Sequence, residues 1–408
     1  MNATFDLLSR ANQQNPFSAY RHLRAEHPVY WEPRLRAWVL TRFDDVDCVI
    51  NQPAVYSVDR FRNVGEDFMQ RRADMRDVAA MMRDWAVYRD PPDHTRMRSL
   101  LAKSFAAQRI ESLRPLIQTL VDRLLDRAEA QGRIDFIADF AFPLPAQVIC
   151  SMLGVPPDDL PQIKQWSTQI AAYIGGSHRG DDIETAKQGL LQTFDYFRAL
   201  ARQRRGRPAA DLLDLLLAAE DQGDVLSEDE VVANCVLLLF AGHETTANLL
   251  GSGLYRLLSS PAQCARLREH PALLPSAVEE FLRYDPPVAG TLRVVVQDAE
   301  IRGQPIRRGE TVAAMLAAAN RDPLHFEAAE ELRIDRSPNR HLTFGYGIHF
   351  CLGAPLARLE AQIAFATLLR RFRRLAMIDS EPHWKAQLFF RGLTRLDIAV
   401  DASDRASH

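Results

Sequence analysis

Cys351 stands in a glycine-punctuated loop, with Gly345 and Gly347 ahead of it, His349 two residues before it and Gly353 two residues after it. Glycines at these places allow backbone angles that other residues resist and let the main chain approach a flat or bulky group. Pro355 suits the first turn of a helix, and Leu356, Leu359, Ile363 and Leu368 continue an apolar stripe at helical spacing. Cys351 is therefore expected just ahead of a helix N-terminus. Free N–H groups and the helix dipole there favour negative charge, so the thiol's pKa should fall and a thiolate be stabilised.

A second constellation, Ala241-Gly242-His243-Glu244-Thr245-Thr246, interrupts an otherwise apolar helical pattern. Ser227 and Glu230 form a capping box that opens this helix. Val231, Leu237, Phe240, Leu249 and Leu254 carry it to about Leu258, a span of roughly 45 Å at 1.5 Å per residue. Polar groups inside so apolar a helix need partners or a purpose. Either they pair within the core, or Gly242 and a bond from Thr245 to the carbonyl of residue 241 open a notch.

Further charged residues are placed by local signals alone. Asp90-Pro91-Pro92 breaks the chain, Asp93 is expected to cap the next helix, and His94 and Arg98 share one of its faces. That pair suits either a solvated face or a grip on a carboxylate. Glu279, Glu280 and Arg283 lie on another helix, and spacing does not choose between i,i+3 and i,i+4 pairing. Arg293 falls in a strand-like run from Thr291 to Val296.

The elements that position these groups read as mostly α with a smaller β part. Val29–Trp31 and Ala37–Leu40 form a hairpin pattern. Residues 109–207 read as amphipathic helices broken at Pro143/Pro145, Gly154 and Gly175, without repeats. With 408 residues, 47% hydrophobic and 25% charged, the chain is long enough for one large domain or two. A net charge of −3 gives no reason to expect nucleic acid or an anionic membrane. The five scattered cysteines include no C-x-x-C pair, which argues against a disulfide framework or a zinc site and for a reducing compartment. The N-terminus lacks a signal-peptide pattern, and the most apolar segment is too short to span a bilayer. A cytoplasmic protein is expected.

Phe344-Gly345-Tyr346-Gly347-Ile348-His349-Phe350-Cys351-Leu352-Gly353 resembles the haem-binding loop of the cytochrome P-450 monooxygenases, Phe-Gly-x-Gly-x-His-x-Cys-x-Gly, without departure. Ala241-Gly242-His243-Glu244-Thr245 and Glu280-x-x-Arg283 match two more signatures of that family, and the resemblance runs from about Pro16 to Val400. It implies the cytochrome P-450 fold across residues 1–408 as a single domain. The β-rich portion would lie at roughly 28–60, 287–312 and 386–400, with haem between a long central helix and the cysteine loop. It implies haem b (iron protoporphyrin IX) with Cys351 as the axial thiolate ligand. His94, Arg98, Ala241, Arg293, Phe344, Gly345, His349 and Gly353 would surround the cofactor, the basic residues taking its propionates. Glu244 and Thr245 would be the catalytic pair that brings protons to dioxygen. Glu280, Arg283 and Arg336 would form a structural trio.

The activity so implied is haem-thiolate monooxygenation: one atom of O2 enters a C–H or C=C bond and the other leaves as water. The rivals are a peroxide-driven peroxygenase on the same fold and a non-catalytic haem-fold sensor or scaffold. Electrons would come from a ferredoxin- or flavodoxin-type donor with its NAD(P)H-dependent reductase, docking on Arg96, Lys103, Arg109, Arg340 and Arg358. Phe61, Met82, Trp85, Leu238, Val288, Ala289, Phe389 and Phe390 are expected to line a pocket for an apolar substrate of terpenoid, steroid, fatty acyl or polyketide type.

Overall fold

The computed structural model describes residues 6–60, 76–174, 180–206, 211–221, 224–379 and 381–402. Short strands from both ends of the chain build its main sheet. β1 (Val29–Glu32) and β2 (Ala37–Leu40) form the expected antiparallel hairpin, and β3 (Tyr56–Ser57) follows. Two strands far along the chain complete it: β5 (Thr291–Val295) and β6 (Thr311–Ala314), after the separate β4 (Arg133–Asp135). The order is β1-β2-β6-β5-β3, with β6 parallel to β2 and antiparallel to β5. Ala37, Val39, Val312 and Ala313 are fully buried, as strands covered by helices require.

The C-terminal strands do not join that sheet. β7 (Phe372–Met377) and β4 flank β10 (Asp397–Ala402), while β8 (His383–Trp384) pairs with β9 (Leu393–Arg395). One isolated bridge, Val288 to Phe390, links the approach to β5 with the β8–β9 turn.

The helices that matter for the site are α1 (Phe17–Glu26), α2 (Asp93–Lys103), α3 (Arg114–Gln131), α4 (Pro143–Met152), α5 (Leu160–Ile174) and α6 (Gly180–Arg204). They are followed by α7 (Glu228–Leu258), α8 (Leu274–Tyr284) and α9 (Ala354–Arg371). The long α7 is the axle of the molecule, packed by α4, α5, α6, α8 and α9. Its Val232, Val236, Leu250, Leu254 and Leu257 are wholly buried, each worth roughly 1.5–3 kcal/mol on leaving water. Two of its glycines permit these close crossings. A Cβ on Gly242 would come 3.0 Å from Ile149 of α4, and one on Gly253 would come 2.9 Å from Phe365 of α9.

The capping box at the start of α7 is complete. Glu230 N–H donates to Ser227 Oγ at 3.1 Å, and Ser227 N–H donates to Glu230 Oε2 at 2.9 Å. The same Glu230 carboxylate accepts from Arg96 on α2, tying the two helices together.

Candidate haem site

The cysteine loop is shaped by two left-handed residues, Gly345 (φ 68°) and Gly347 (φ 65°), a region that costs glycine little. Gly353 differs: its φ of −83° suits any residue. A Cβ there would meet nothing within 4 Å, so its absence leaves room beside the sulfur. Cys351 N–H donates to Phe344 O at 2.8 Å and closes the loop, and α9 begins three residues later with Pro355 in its first turn.

The expected fall in the thiol's pKa does not occur. Burial pushes Cys351 upward and outweighs the backbone N–H groups of Gly353 and Ala354 and the charges of Arg98 and Arg358, which pull it down. The helix-terminus effect is present, but desolvation wins. A coordinating metal ion would deprotonate such a thiol outright.

Four basic side chains converge beside this loop. The His94 and His349 rings lie 4.1 Å apart, and Arg98 Nη2 donates to Phe350 O at 2.6 Å. Arg293, placed opposite Val312 by the β5–β6 register, donates to Thr291 Oγ1 at 2.7 Å and Leu292 O at 2.9 Å. Burial, then the nearby charges of His94, Arg293 and Arg98, drives His349 down to about 3. Burial, then repulsion from Arg60, lowers Arg293 to about 10. Asp90 is the acid within reach of His94 and Arg293. Its carboxylate already accepts from Ser57 Oγ and the Val58 N–H. Among the described residues, His94 Nδ1 and His349 Nε2 are buried with no hydrogen-bond partner. Asp93 does not cap α2 as expected; it lies in the first turn, and Pro92 occupies the cap position.

The polar centre of α7 bonds back on itself, as the spacing of Thr245 and Ala241 leads one to expect. The helix is continuous, and its side chains bond back to the preceding turn: Thr245 Oγ1 to Ala241 O at 2.8 Å, Thr246 Oγ1 to Gly242 O at 3.2 Å, and His243 Nδ1 to Leu239 O at 2.6 Å. Ala241 is exposed and Thr245 half-buried, whereas Phe240, His243 and Glu244 are buried. One face at the middle of a core helix therefore borders open space. Glu244 turns to the other side, where Lys385 donates to it and Asn248 adds a further hydrogen bond. Burial alone would raise the Glu244 pKa, but the Lys385 charge, with His243 and the hydrogen bonds, holds it below the ordinary carboxylate range. No motif marks Lys385; only the antiparallel pairing of β8 and β9 brings it to α7.

Glu280 accepts a bidentate pair from Arg283 at 2.8 Å, and Arg336 Nε lies 3.1 and 3.2 Å from the same carboxylate. Glu279 is engaged elsewhere, with Arg358 of α9 at 2.7 and 2.8 Å and His341 at 3.2 Å. Arg358 and Arg96 are partly exposed and paired with carboxylates, and Lys103, Arg109 and Arg340 are exposed. Phe344, stacked under Arg358 at 4.6 Å, steadies the loop.

Of the expected pocket residues, Phe61 lies outside the described residues. Val288, Ala289, Phe389 and Phe390 come together, with Ala289 N–H donating to Phe389 O at 2.8 Å. Phe390 meets Phe240 of α7 edge-on at 5.9 Å, and Leu238 is half-buried against the same core. Met82 and Trp85 are buried in that core, and Trp85 stacks on Tyr88 at 5.9 Å.

These features fit one kind of cofactor: a flat macrocycle bearing two carboxylates, with a metal that takes a thiolate. The orphaned imidazole nitrogens and under-neutralised arginines suit the carboxylates, and Cys351 suits the metal. The fold is that of the haem-thiolate proteins. The family profile of cytochrome P450 matches residues 179–392. The chain is 38% identical to the polyketide biosynthesis cytochrome P450 PksS of Bacillus subtilis, over 95% of its length and 96% of the relative's. It is 40% identical to the vitamin D(3) 25-hydroxylase of Pseudonocardia autotrophica, over 97% and 96%. The structure of P450BioI bound to an acyl carrier protein carrying hexadec-9Z-enoic acid superposes with a TM-score of 0.89 at 36% identity, over 96% of this chain and all of that one. The chain belongs to the cytochrome P450 family. It is an oxidoreductase, a monooxygenase that uses O2 and a redox partner, and the family binds haem through a cysteine thiolate. Among the described residues, no helix is long and apolar enough to cross a membrane.

Proposed function

We propose that the chain holds haem b on Cys351 and oxidises an apolar molecule of terpenoid, steroid, fatty acyl or polyketide type. One observation carries the cofactor assignment. His94, Arg98, Arg293 and His349 crowd together beside the Cys351 loop, with the nearby Asp90 already engaged. His94 and Arg293 are buried and Arg98 and His349 half-buried beside them; such a gathering suits an anionic partner, and two propionates would supply it. When bound, haem supplies the chemistry that splits O2 and passes one atom to the substrate.

This chain's own residues do the rest. Gly353 and the Cys351–Phe344 hydrogen bond fix the sulfur's position. Thr245 presents its hydroxyl on the accessible face of α7; its one hydrogen is donated to Ala241 O, and the oxygen's lone pairs are left to accept. Glu244, the next residue in the chain and paired with Lys385 on the other side of the helix, would accept and pass on protons as a carboxylate. The apolar patch of Leu238, Val288, Ala289, Phe389 and Phe390 supports a hydrophobic substrate. So do relatives named for polyketide and vitamin D3 chemistry. A ferredoxin- or flavodoxin-type donor with an NAD(P)H-dependent reductase would dock on the exposed Lys103, Arg109 and Arg340. Five free cysteines agree with a cytoplasmic setting.

The test is the spectrum of the reduced protein under carbon monoxide. Wild-type protein is expected to show the red-shifted band of thiolate ligation and Cys351→Ser to lose it; a band kept by the variant would overturn the assignment. Titration with a steroid, a long-chain fatty acid and a macrolactone then sorts the substrate classes by their spectral shifts.

A further inference from the structure

A second charged site lies away from the Cys351 loop. A cleft of about 480 Å³ opens between α1, the last turns of α7 and α8, and the β8–β9 turn; Arg21, Arg256, Arg321 and Arg391 line it, with Trp384 in its wall. None of its lining residues belongs to the cysteine loop or to the polar centre of α7, residues 241–246.

The charge in this cleft is not balanced. Asp285, buried beneath it, accepts from Arg256 Nε and from Arg391 Nε at 2.7 Å, with Arg321 3.8 Å away. Glu330 is shared by Arg321 at 3.1 Å, Arg21 at 3.6 Å and Arg24 at 3.7 Å. Among the described residues lining or underlying the cleft, Asp285 and Glu330 thus answer the four guanidinium groups of Arg21, Arg256, Arg321 and Arg391; Arg24, outside the lining, also has Asp322 nearby. Aromatic faces hold the cations in place: Arg391 sits 3.7 Å from the Trp384 ring centre, and Arg321 sits 3.4 Å from that of Phe17. Stacking occupies the flat faces of the guanidinium groups and leaves their N–H edges available.

Arg321 spends all three of its nitrogens, on Tyr284 O and Glu330, but Arg256 and Arg391 do not. Among the described residues, Arg256 spends only its Nε, and Arg391 spends its Nε and, on Gln14 O at 3.2 Å, its Nη1. Both terminal nitrogens of Arg256 and Nη2 of Arg391 keep their donors. Burial lowers Arg391, and lowers Arg321 to about 10, although Asp285 pulls both upward. Arginines with spare donors on an open cleft are the pattern of an oxyanion receptor.

We propose that this cleft binds a small oxyanion, a phosphate or a carboxylate, between Arg256 and Arg391. Arg21, at the rim, supplies a mobile third cation. Half-buried Arg256 and buried Arg391 supply a fork whose orientation the Asp285 carboxylate sets. Trp384 immediately precedes Lys385, so an occupant would sit one residue from the lysine that holds Glu244.

Isothermal titration of the haem-loaded protein with inorganic phosphate and, separately, with citrate, at constant ionic strength, tests this. Saturable binding at one site per chain is expected for at least one of the two, and the arm that binds identifies phosphate or carboxylate as the chemistry. Arg256→Gln should weaken it tenfold or more, whereas Arg308→Gln, on an exposed turn elsewhere, should leave it unchanged. Arg256→Lys keeps the charge and a donor for Asp285 but loses the fork. It should bind at least several-fold more weakly, and it serves if the glutamine variant does not fold. No saturable heat with either anion, or equal affinity in wild type and the folded Arg256 variants, would overturn the proposal and leave the cluster as a strut that pins α1 to α8.

Discussion

Lys385 reaches from the β8–β9 turn to the middle of α7 and donates a hydrogen bond to Glu244, with Asn248 Oδ1 3.1 Å from the same ammonium group. The lysine's backbone N–H, bonded to Gly392 O at 2.9 Å, fixes where it stands. Burial works against ionisation of Glu244, and this cation opposes it. Lys385→Met should therefore let burial prevail and raise the Glu244 pKa. Product formation would then titrate closer to neutrality than in wild type, and folding stability would fall by about 1–3 kcal/mol. Lys385→Arg should retain the wild-type profile. Superposable pH–rate curves for wild type and Lys385→Met would show that this pair does not govern proton supply.

Thr245→Val tests the hydroxyl itself. The helix should be unharmed, since the bond lost is the one to the Ala241 carbonyl. Electrons drawn from the donor should then appear as hydrogen peroxide in place of oxidised substrate. The check is the ratio of product to NAD(P)H consumed, expected to fall severalfold or more on the general-acid scale.

Arg293→Leu removes one buried cation from the basic cluster. Haem retention, measured as Soret absorbance relative to protein after gel filtration, should fall tenfold or more, in line with truncating one side of a buried charge pair. The apoprotein should fold at least as well as wild type, because Arg293 is destabilised there by burial and by Arg60.

Acid stability should depend on Glu279. Burial would raise its pKa from 4.5, but the hydrogen bonds and charges of Arg358 and His341 hold it at about 2. A group depressed on folding stabilises fully above its unfolded pKa and loses that contribution as pH falls. The window lies between 4.5 and about 2. The loss is on the order of 2 kcal/mol, allowing for screening of a partly exposed pair. Glu279→Gln should lower stability at neutral pH and flatten its dependence across that window, as read from denaturant midpoints.

Glu280 is a harsher case. Its carboxylate is fully buried and shared by Arg283 and Arg336. Glu280→Ala leaves two buried cations without a counter-charge, at a cost of about 3–5 kcal/mol. Soluble yield and urea midpoint should both drop, whereas Arg308→Gln, a change on an exposed turn, should move neither.

Much of the site was legible because its signals are local. The Ser227–Glu230 box opens a helix that runs to Leu258, and the Thr245 back-bond follows from i,i−4 spacing. Spacing on α8 was ambiguous, since Glu279 and Glu280 both stand within reach of Arg283. The resemblance pointed to Glu280, the residue that Arg283 bonds. The rise in the Cys351 pKa was hidden because motif and helix start declare the favourable terms, whereas desolvation depends on everything packed around the sulfur. Lys385 and the Asp285 cluster were hidden for a related reason. Their partners lie far apart in the chain, and a lone lysine after a two-residue strand looks like any solvated one.

Glu230 has a consequence for how the molecule responds to its cofactor. One carboxylate both closes the first turn of α7 and holds Arg96 on the helix that carries His94 and Arg98. Seating the prosthetic group against α2 would thus stiffen the far end of α7 through this shared latch. Amide protons around Val231 would record loading as slower exchange, although they lie several turns from the polar centre of the helix.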